Sequence, residues 1–220
     1  MTSLVSIQTQ AFETARLERQ QPLNLSIPNA VSIIGVGGVG SWIALLLAMI
    51  GVPQLYIWDG DTIEASNLNR LPYGPATIGY PKVHALSMII LDRVPRCNIS
   101  TFYRIWYPET AKTCPSDWIV AATDQHSSRV ELYDYAKANN ISYIEASAEG
   151  EYGGCTDSPA MFTLESERQR GYNSVPVWAG PCIMAASMAV HRIVHPLHTD
   201  TFNYRLGFNP ATHKIELQEL

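Results

Sequence analysis

Between residues 31 and 58, the apolar run VSIIGV passes through a glycine turn into a helix-length apolar stretch, Ser41 to Ile50. A second apolar run, QLYIW, then follows at residues 54 to 58. Strand, turn, helix, strand in so few residues is a βαβ unit, which forces parallel pairing and a right-handed crossover. The glycines Gly35, Gly37 and Gly40 have the GxGxxG spacing, with Gly38 as a fourth. Residues without a β-carbon let the backbone approach phosphate or ribose, while the following helix offers unpaired N–H groups and a partial positive charge. Asp59 ends the second strand, 19 residues after Gly40, where a carboxylate can accept hydrogen bonds from ribose hydroxyls. The unit therefore reads as a nucleotide site. NAD, FAD, S-adenosylmethionine and ATP proteins all share that layout.

The rest of the chain continues the alternation. A helix is expected from near Pro81 to before Pro95, a strand over Ile99 to Trp106, and a second over Trp118 to Ala122. A helix over Ser127 to Ala138 and a strand over Ser142 to Glu145 follow. The pattern predicts an α/β fold: a doubly wound, Rossmann-like, mostly parallel sheet with helices on both faces. Beyond Gly150 the sequence predicts a flexible glycine turn carrying Gly153, Gly154 and Cys155, a strand over Ala160 to Leu164, and a charged loop from Glu165. A helix from about Pro181 to Val194 and a C-terminal antiparallel extension, from Phe202 to Phe208 and Lys214 to Leu217, complete the reading. With 220 residues, 46% of them hydrophobic, one core is expected: an arm or short helix over 1–29 and a single domain over 30–220.

Charge and composition exclude other classes. A net charge of −5 argues against a broad basic surface for nucleic acid. The longest apolar run, the eleven residues from Trp42 to Val52, is short of the ~20 a membrane span requires. Cys97, Cys114, Cys155 and Cys182 form no CxxC pair, so no zinc is expected, and free thiols in a reducing cytoplasm fit best.

What separates ATP from NAD is the segment after the second strand. Asp59 and Asp61 are followed by an amide-rich turn holding Asn67, then by Arg70, and Lys82 opens the next helix. Hydride transfer builds no charge on a phosphate and has no general need of that Arg and Lys. Attack of a carboxylate on the α-phosphate of ATP does, because charge grows on the phosphoryl oxygens and the departing pyrophosphate. A metal must bridge the phosphates, and Asp124, just past the Trp118 to Ala122 strand, falls at the same sheet edge as the glycine loop.

At these residues the chain resembles the ThiF/MoeB-type enzymes that activate ubiquitin-like proteins. The matching elements are GVGGVGS (Gly35 to Ser41), DGDTIEASNLNR (Asp59 to Arg70), IGYPK (Ile78 to Lys82) and ATDQHSSR (Ala122 to Arg129). The resemblance implies that Asp59 contacts the ribose, that Asn67 and Arg70 contact phosphates, that Lys82 stabilises the α-phosphate in the transition state, and that Asp124 binds magnesium. Asp61 joins this nucleotide-binding set or caps the turn that follows it. The implied substrate is a small β-grasp protein whose C-terminal glycine carboxylate becomes an acyl-adenylate, and the implied assembly is a homodimer.

The chain departs from that pattern in places. Leu71 and Pro72 follow Arg70 where the family often carries Gln. Arg16 and Arg19 are candidates by position for the arginine finger that dimeric members send into a partner's site. Cys182, at a predicted helix start where the dipole would favour thiolate, and Cys155, in the predicted turn, are the candidate acyl-accepting thiols, set against the commoner case of an inert, buried cysteine. His191 and His195 are four apart, with His198 as a loosely placed third ligand, and favour a helix C-terminus as readily as a metal. By the same resemblance, residues 165–177 are the loop that crosses over the carrier tail, or else a plain solvent loop.

Three alternatives stay open. One is adenylation of another carboxylate, on a peptide C-terminus or a modified tRNA base; GVGGVGSW (Gly35 to Trp42) also resembles the tRNA-modifying dehydratase branch. The others are a non-catalytic partner subunit and an NAD oxidoreductase, which leaves Arg70, Lys82 and Asp124 unexplained.

Overall fold

The computed structural model describes residues 4–159, 176–195, 203–209 and 211–219. All its strands join one eight-stranded sheet of order β3-β2-β1-β4-β5-β6-β7-β8. The first five in that order pair in parallel: β1 (Ala30–Ile34), β2 (Gln54–Trp58), β3 (Asn98–Phe102), β4 (Trp118–Ala121) and β5 (Ser142–Glu149). The remaining three pair antiparallel: β6 (Tyr152–Thr156), β7 (Asn203–Asn209) and β8 (Lys214–Glu219). This is the expected doubly wound sheet with its antiparallel extension.

The central strands form because their residues are apolar on both faces and find helices on both. Every residue of β1 and of β4 is buried, as befits the middle of a parallel sheet. On one face, helices α2 (Gly40–Ile50), α3 (Lys82–Arg93) and α6 (Ala179–Val194) pack with Val31, Ile33, Leu55, Val120 and Ile144 into the larger core. On the other, α5 (His126–Ala138) and the one-turn α4 (Pro108–Ala111) cover Ile34, Trp58, Ile119 and Ala121.

The N-terminal arm is a helix, α1 (Leu4–Leu17), continued by a 3₁₀ turn over Glu18–Leu23. It serves the far end of α2: Arg16 donates to the Met49 carbonyl and pairs with Glu13, and Gln20 Nε2 donates to the Ile50 carbonyl at 2.7 Å. Those carbonyls have no partner within α2, and cations are favoured there.

Two segments differ from expectation. β3 stops at Phe102, where Arg104 N turns back onto the Phe102 carbonyl, and Trp106 instead buries its ring against Tyr135. The glycine turn predicted after Gly150 is the strand β6. A side chain at Gly153 would collide with the Pro181 carbonyl, so glycine serves the close approach of α6 to the strand. The strand expected over Ala160 to Leu164, the charged residues 165–175 and His198 lie outside the described residues. No described helix is long and apolar enough to cross a membrane.

Candidate active site

The strand order reverses between β1 and β4: the chain leaves β1 to build β2 and β3 on one side, then returns to build β4 and β5 on the other. Ligands of doubly wound sheets bind at the carboxyl ends of the strands beside that switch. The register sets those ends level, with Ile34 opposite both Trp58 and Ala121. Gly35, Asp59 and Asp124 therefore emerge along one rim.

The four loop glycines divide by purpose. Gly35 has φ of +86°, and a β-carbon there would come within 2.7 Å of the Ala122 carbonyl oxygen. One at Gly40 would run into the Gly35 carbonyl itself. These two let the turn close and the first turn of α2 reach it. At Gly38 a β-carbon would crowd Cys182 Sγ at 2.9 Å and the Arg70 side chain at 3.1 Å. Gly37 alone of the four would project a side chain into open space.

Asp59 ties the loop to the next strand. Its carboxylate accepts from Val36 N and from Asp61 N, both at 2.8 Å. Burial pushes its pKa up, opposed by the nearby Lys82 charge and by those two N–H bonds. Lys82 arrives from a second direction because the two motif segments zip together: Ile63 N donates to the Tyr80 carbonyl, Gly79 N to Ile63 and Lys82 N to Asp61. Gly79 makes the bend with φ of +87°. The zip sets Lys82 Nζ 2.7 Å from Asp61 Oδ2 and 4.0 Å from Asp59 Oδ1. The lysine side chain is 11% exposed while its partner Asp61 is 66% exposed, so Asp61 is the weakly held member of the pair.

Arg70 is placed by its own loop. Its guanidinium donates to the Ser66 carbonyl and to Asn69 Oδ1, both at 2.9 Å, and its carbonyl accepts the Trp42 indole N–H at 2.9 Å. Asn67 caps the turn, its side-chain oxygen accepting from Glu64 N at 3.1 Å. Leu71, standing where the family often has Gln, is buried in the larger core. Asn69 Nδ2 reaches the Val177 carbonyl at 3.0 Å and so fastens this loop to the chain entering α6. Asp124 lies exposed in the turn between β4 and α5.

The structure thus gathers Asp59, Asp61 and Lys82 beside the glycine loop, lays Arg70 against Gly38, and brings Asp124 to the same rim through the Gly35–Ala122 contact. It does not bring Arg16 there, because that side chain sits at the opposite end of α2, about 15 Å along the helix axis. Arg19 is exposed on the 3₁₀ turn.

Both candidate thiols are buried, the usual state of a free cysteine. Cys155 lies in β6 and is fully buried, not in a flexible turn. Burial pushes its pKa up to about 12, with the neighbouring Asp157 adding to the rise. Cys182 does lie in the first turns of α6, but it is buried under the glycine loop, and burial pushes it to about 11 against the lowering effect of Arg70. Desolvation outweighs the helix dipole at this depth. Both thiols are neutral at physiological pH. A raised thiol pKa means that the unfolded chain loses its proton first, so stability present below about pH 9 is lost as pH rises towards 11. We expect iodoacetamide to label Cys182 in the native protein at least ~10-fold more slowly than in the urea-unfolded chain at pH 8. Equal rates in mass-spectrometric time courses would contradict the burial.

Among the described residues no group of three or more His, Cys, Asp and Glu side chains gathers as a metal cage. Magnesium rarely uses one; it keeps several waters and binds through one or two carboxylates plus substrate phosphates. One exposed acid at the rim, Asp124, fits a metal that comes with a nucleotide.

Comparisons with known proteins bear on the family and the fold. A family model described as the ThiF family matches residues 7–199. A tRNA threonylcarbamoyladenosine dehydratase of Haemophilus influenzae is 33% identical over 206 residues, covering 83% of this chain and 78% of that protein. A ubiquitin-like modifier-activating enzyme 5 of Drosophila mojavensis is 30% identical over 131 residues, covering 53% of this chain and 33% of that protein. The crystal structure of E. coli MccB with ATP shares the fold, with a TM-score of 0.67 at 19% identity, covering 95% of this chain and 65% of that one.

Proposed function

Since this chain belongs to the ThiF family of ATP-dependent adenylating enzymes, we propose that its crevice binds ATP with magnesium and adenylates the C-terminal glycine carboxylate of a small ubiquitin-like or sulfur-carrier protein. The observation that carries the reading is the zip between residues 61–63 and 79–82, which delivers Lys82 to the acids beside the glycine loop. Hydride transfer builds no charge on a phosphate, so a dinucleotide-binding oxidoreductase has no general need of a cation at that place.

The chemistry follows from the charges. The attacking carboxylate is ionised at neutral pH, so no general base is needed. One of its oxygens forms a bond to the α-phosphorus, the bond from that phosphorus to the bridging β-phosphate oxygen breaks, and pyrophosphate leaves with the electron pair. The product is an acyl-adenylate. Asp59 orients the ribose, the open flank at Gly37 admits the phosphates, Arg70 and Asn67 hold them, and Lys82 leaves Asp61 to meet the charge that grows at the α-phosphate. Asp124 would hold the magnesium, whose chemistry there would be charge neutralisation at the phosphates. With Cys155 and Cys182 buried, the acyl group passes to an acceptor outside this site. A homodimer in the cytoplasm is the assembly this reading expects, with Arg19, the exposed one of the two arginines, as the finger.

A second reading has its own support. The Haemophilus influenzae relative, a tRNA threonylcarbamoyladenosine dehydratase, matches most of both chains, which favours a carboxylate on a modified tRNA base; the net charge of −5 opposes it. Incubation with α-labelled ATP and, in turn, a Gly-Gly-ended carrier protein, a carboxylate-ended peptide and tRNA decides between them. Label trapped on the carrier as acyl-adenylate is the expected result. ATP-dependent turnover with tRNA alone would overturn the first reading in favour of the second.

A further inference from the structure

Behind the rim lies a buried pair of charges with no part in the chemistry above. Arg129, in the first turn of α5, and Glu145, in β5, meet at 3.1 Å (NH1 to Oε1) with side chains 7% and 0% exposed. The Tyr143 hydroxyl joins them, 3.4 Å from Glu145 Oε2 and 3.3 Å from the Arg129 carbonyl. An ion pair taken so far from water is weak evidence for stability, because apolar side chains of the same volume often do as well. The pair does something apolar residues cannot: Arg129 Nε donates to the Thr123 carbonyl at 2.7 Å.

Thr123 directly precedes Asp124, and its backbone N is among the atoms that Gly35 packs against. The turn is braced elsewhere too, by Gln125 N on Thr123 Oγ1 at 3.3 Å and by Arg129 N on the Gln125 carbonyl at 3.2 Å. Exposed Asp124 therefore stands on backbone held from inside the fold. We propose that Arg129 and Glu145 are positioning residues for the metal acid: Glu145 fixes the guanidinium, the guanidinium fixes the Thr123 carbonyl, and Asp124 is thereby set where nucleotide-bound magnesium arrives. This rests on the ATP and magnesium reading above.

The test is calorimetric binding of ATP, with magnesium and with EDTA, to wild type, Glu145→Gln and the double variant Arg129→Met/Glu145→Leu. Groups that orient metal ligands typically govern metal affinity by 10–100-fold. The magnesium-dependent gain in ATP affinity is expected to shrink by at least ~10-fold in both variants, with affinity in EDTA within about twofold of wild type. An unchanged magnesium gain in a folded variant would overturn the proposal, as would equal losses with and without the metal. If Glu145→Gln unfolds because it strands a buried cation, the apolar pair decides; unfolding of both marks a purely structural pair and also counts against positioning. Wild type that binds no ATP in either buffer would instead refute the nucleotide reading.

Discussion

Lys82→Ala is expected to lower carboxylate-dependent pyrophosphate exchange by about 10²–10³-fold, roughly 2.7–4 kcal/mol of barrier, while the dissociation constant for ATP rises less than ~10-fold. The asymmetry follows from geometry. Lys82 Nζ has an anionic partner of its own, Asp61 at 2.7 Å. Binding ATP exchanges one anion for another, so little ground-state affinity is gained. The transition state concentrates new charge on the α-phosphoryl oxygens, and a cation held at the helix start, already turned from Asp61 to the bound nucleotide, meets it there. Loss of the exposed Asp61 contact costs stability little, while buried Asp59, 4.0 Å from the lysine, loses the charge that offsets its burial. Exchange kinetics beside calorimetric ATP binding check the split. Equal loss of rate and affinity would make Lys82 a binding residue only.

Gly40→Ala and Gly37→Ala are expected to fail in opposite ways. A β-carbon at Gly40 would collide with the Gly35 carbonyl and approach the Ala122 side chain at 3.0 Å. No flexible side chain there can yield; the backbone turn itself must move. Overpacking of this kind costs about 1–3 kcal/mol and sometimes more, which in a chain of this size lowers Tm by about 2–4 °C per kcal/mol. Gly37 has nothing within 4 Å of an added β-carbon, so Gly37→Ala is expected to melt within ~2 °C of wild type. It is expected to bind ATP at least ~10-fold more weakly, because the methyl group stands where phosphate approaches. Thermal melts with and without ATP separate the two. A Gly37→Ala protein with unimpaired ATP binding would place the nucleotide elsewhere.

The parallel half of the sheet was legible because strands buried on both faces are written as apolar runs; β2 and β4 fall within a residue, and β1 within two, of where QLYIW, the Trp118 run and VSIIGV place them. The rim was legible for a different reason: Asp59 follows β2 directly, and the glycines and Lys82 mark strand and helix ends. What stayed hidden depends on other parts of the chain. Gly153 and Gly154 look like a turn until α6 is laid over them and the collision with Pro181 appears. Cys182 at a helix start suggests a thiolate, and only the glycine loop above it reveals the burial that reverses the shift. Arg129 and Glu145 are 16 residues apart, and their partnership needs α5 to fold back on β5. A glutamate inside the apolar run Tyr143 to Ala146 was the available signal, since a buried acid needs a partner.

Pyrophosphate exchange on the wild-type protein, with ATP, magnesium and labelled pyrophosphate, tests the central claim most directly. Exchange that appears only when a carboxylate-bearing substrate is added, and that NAD does not suppress, is the expected result. Absence of exchange with carrier protein, peptide and tRNA alike, together with NAD binding tighter than ATP, would contradict it.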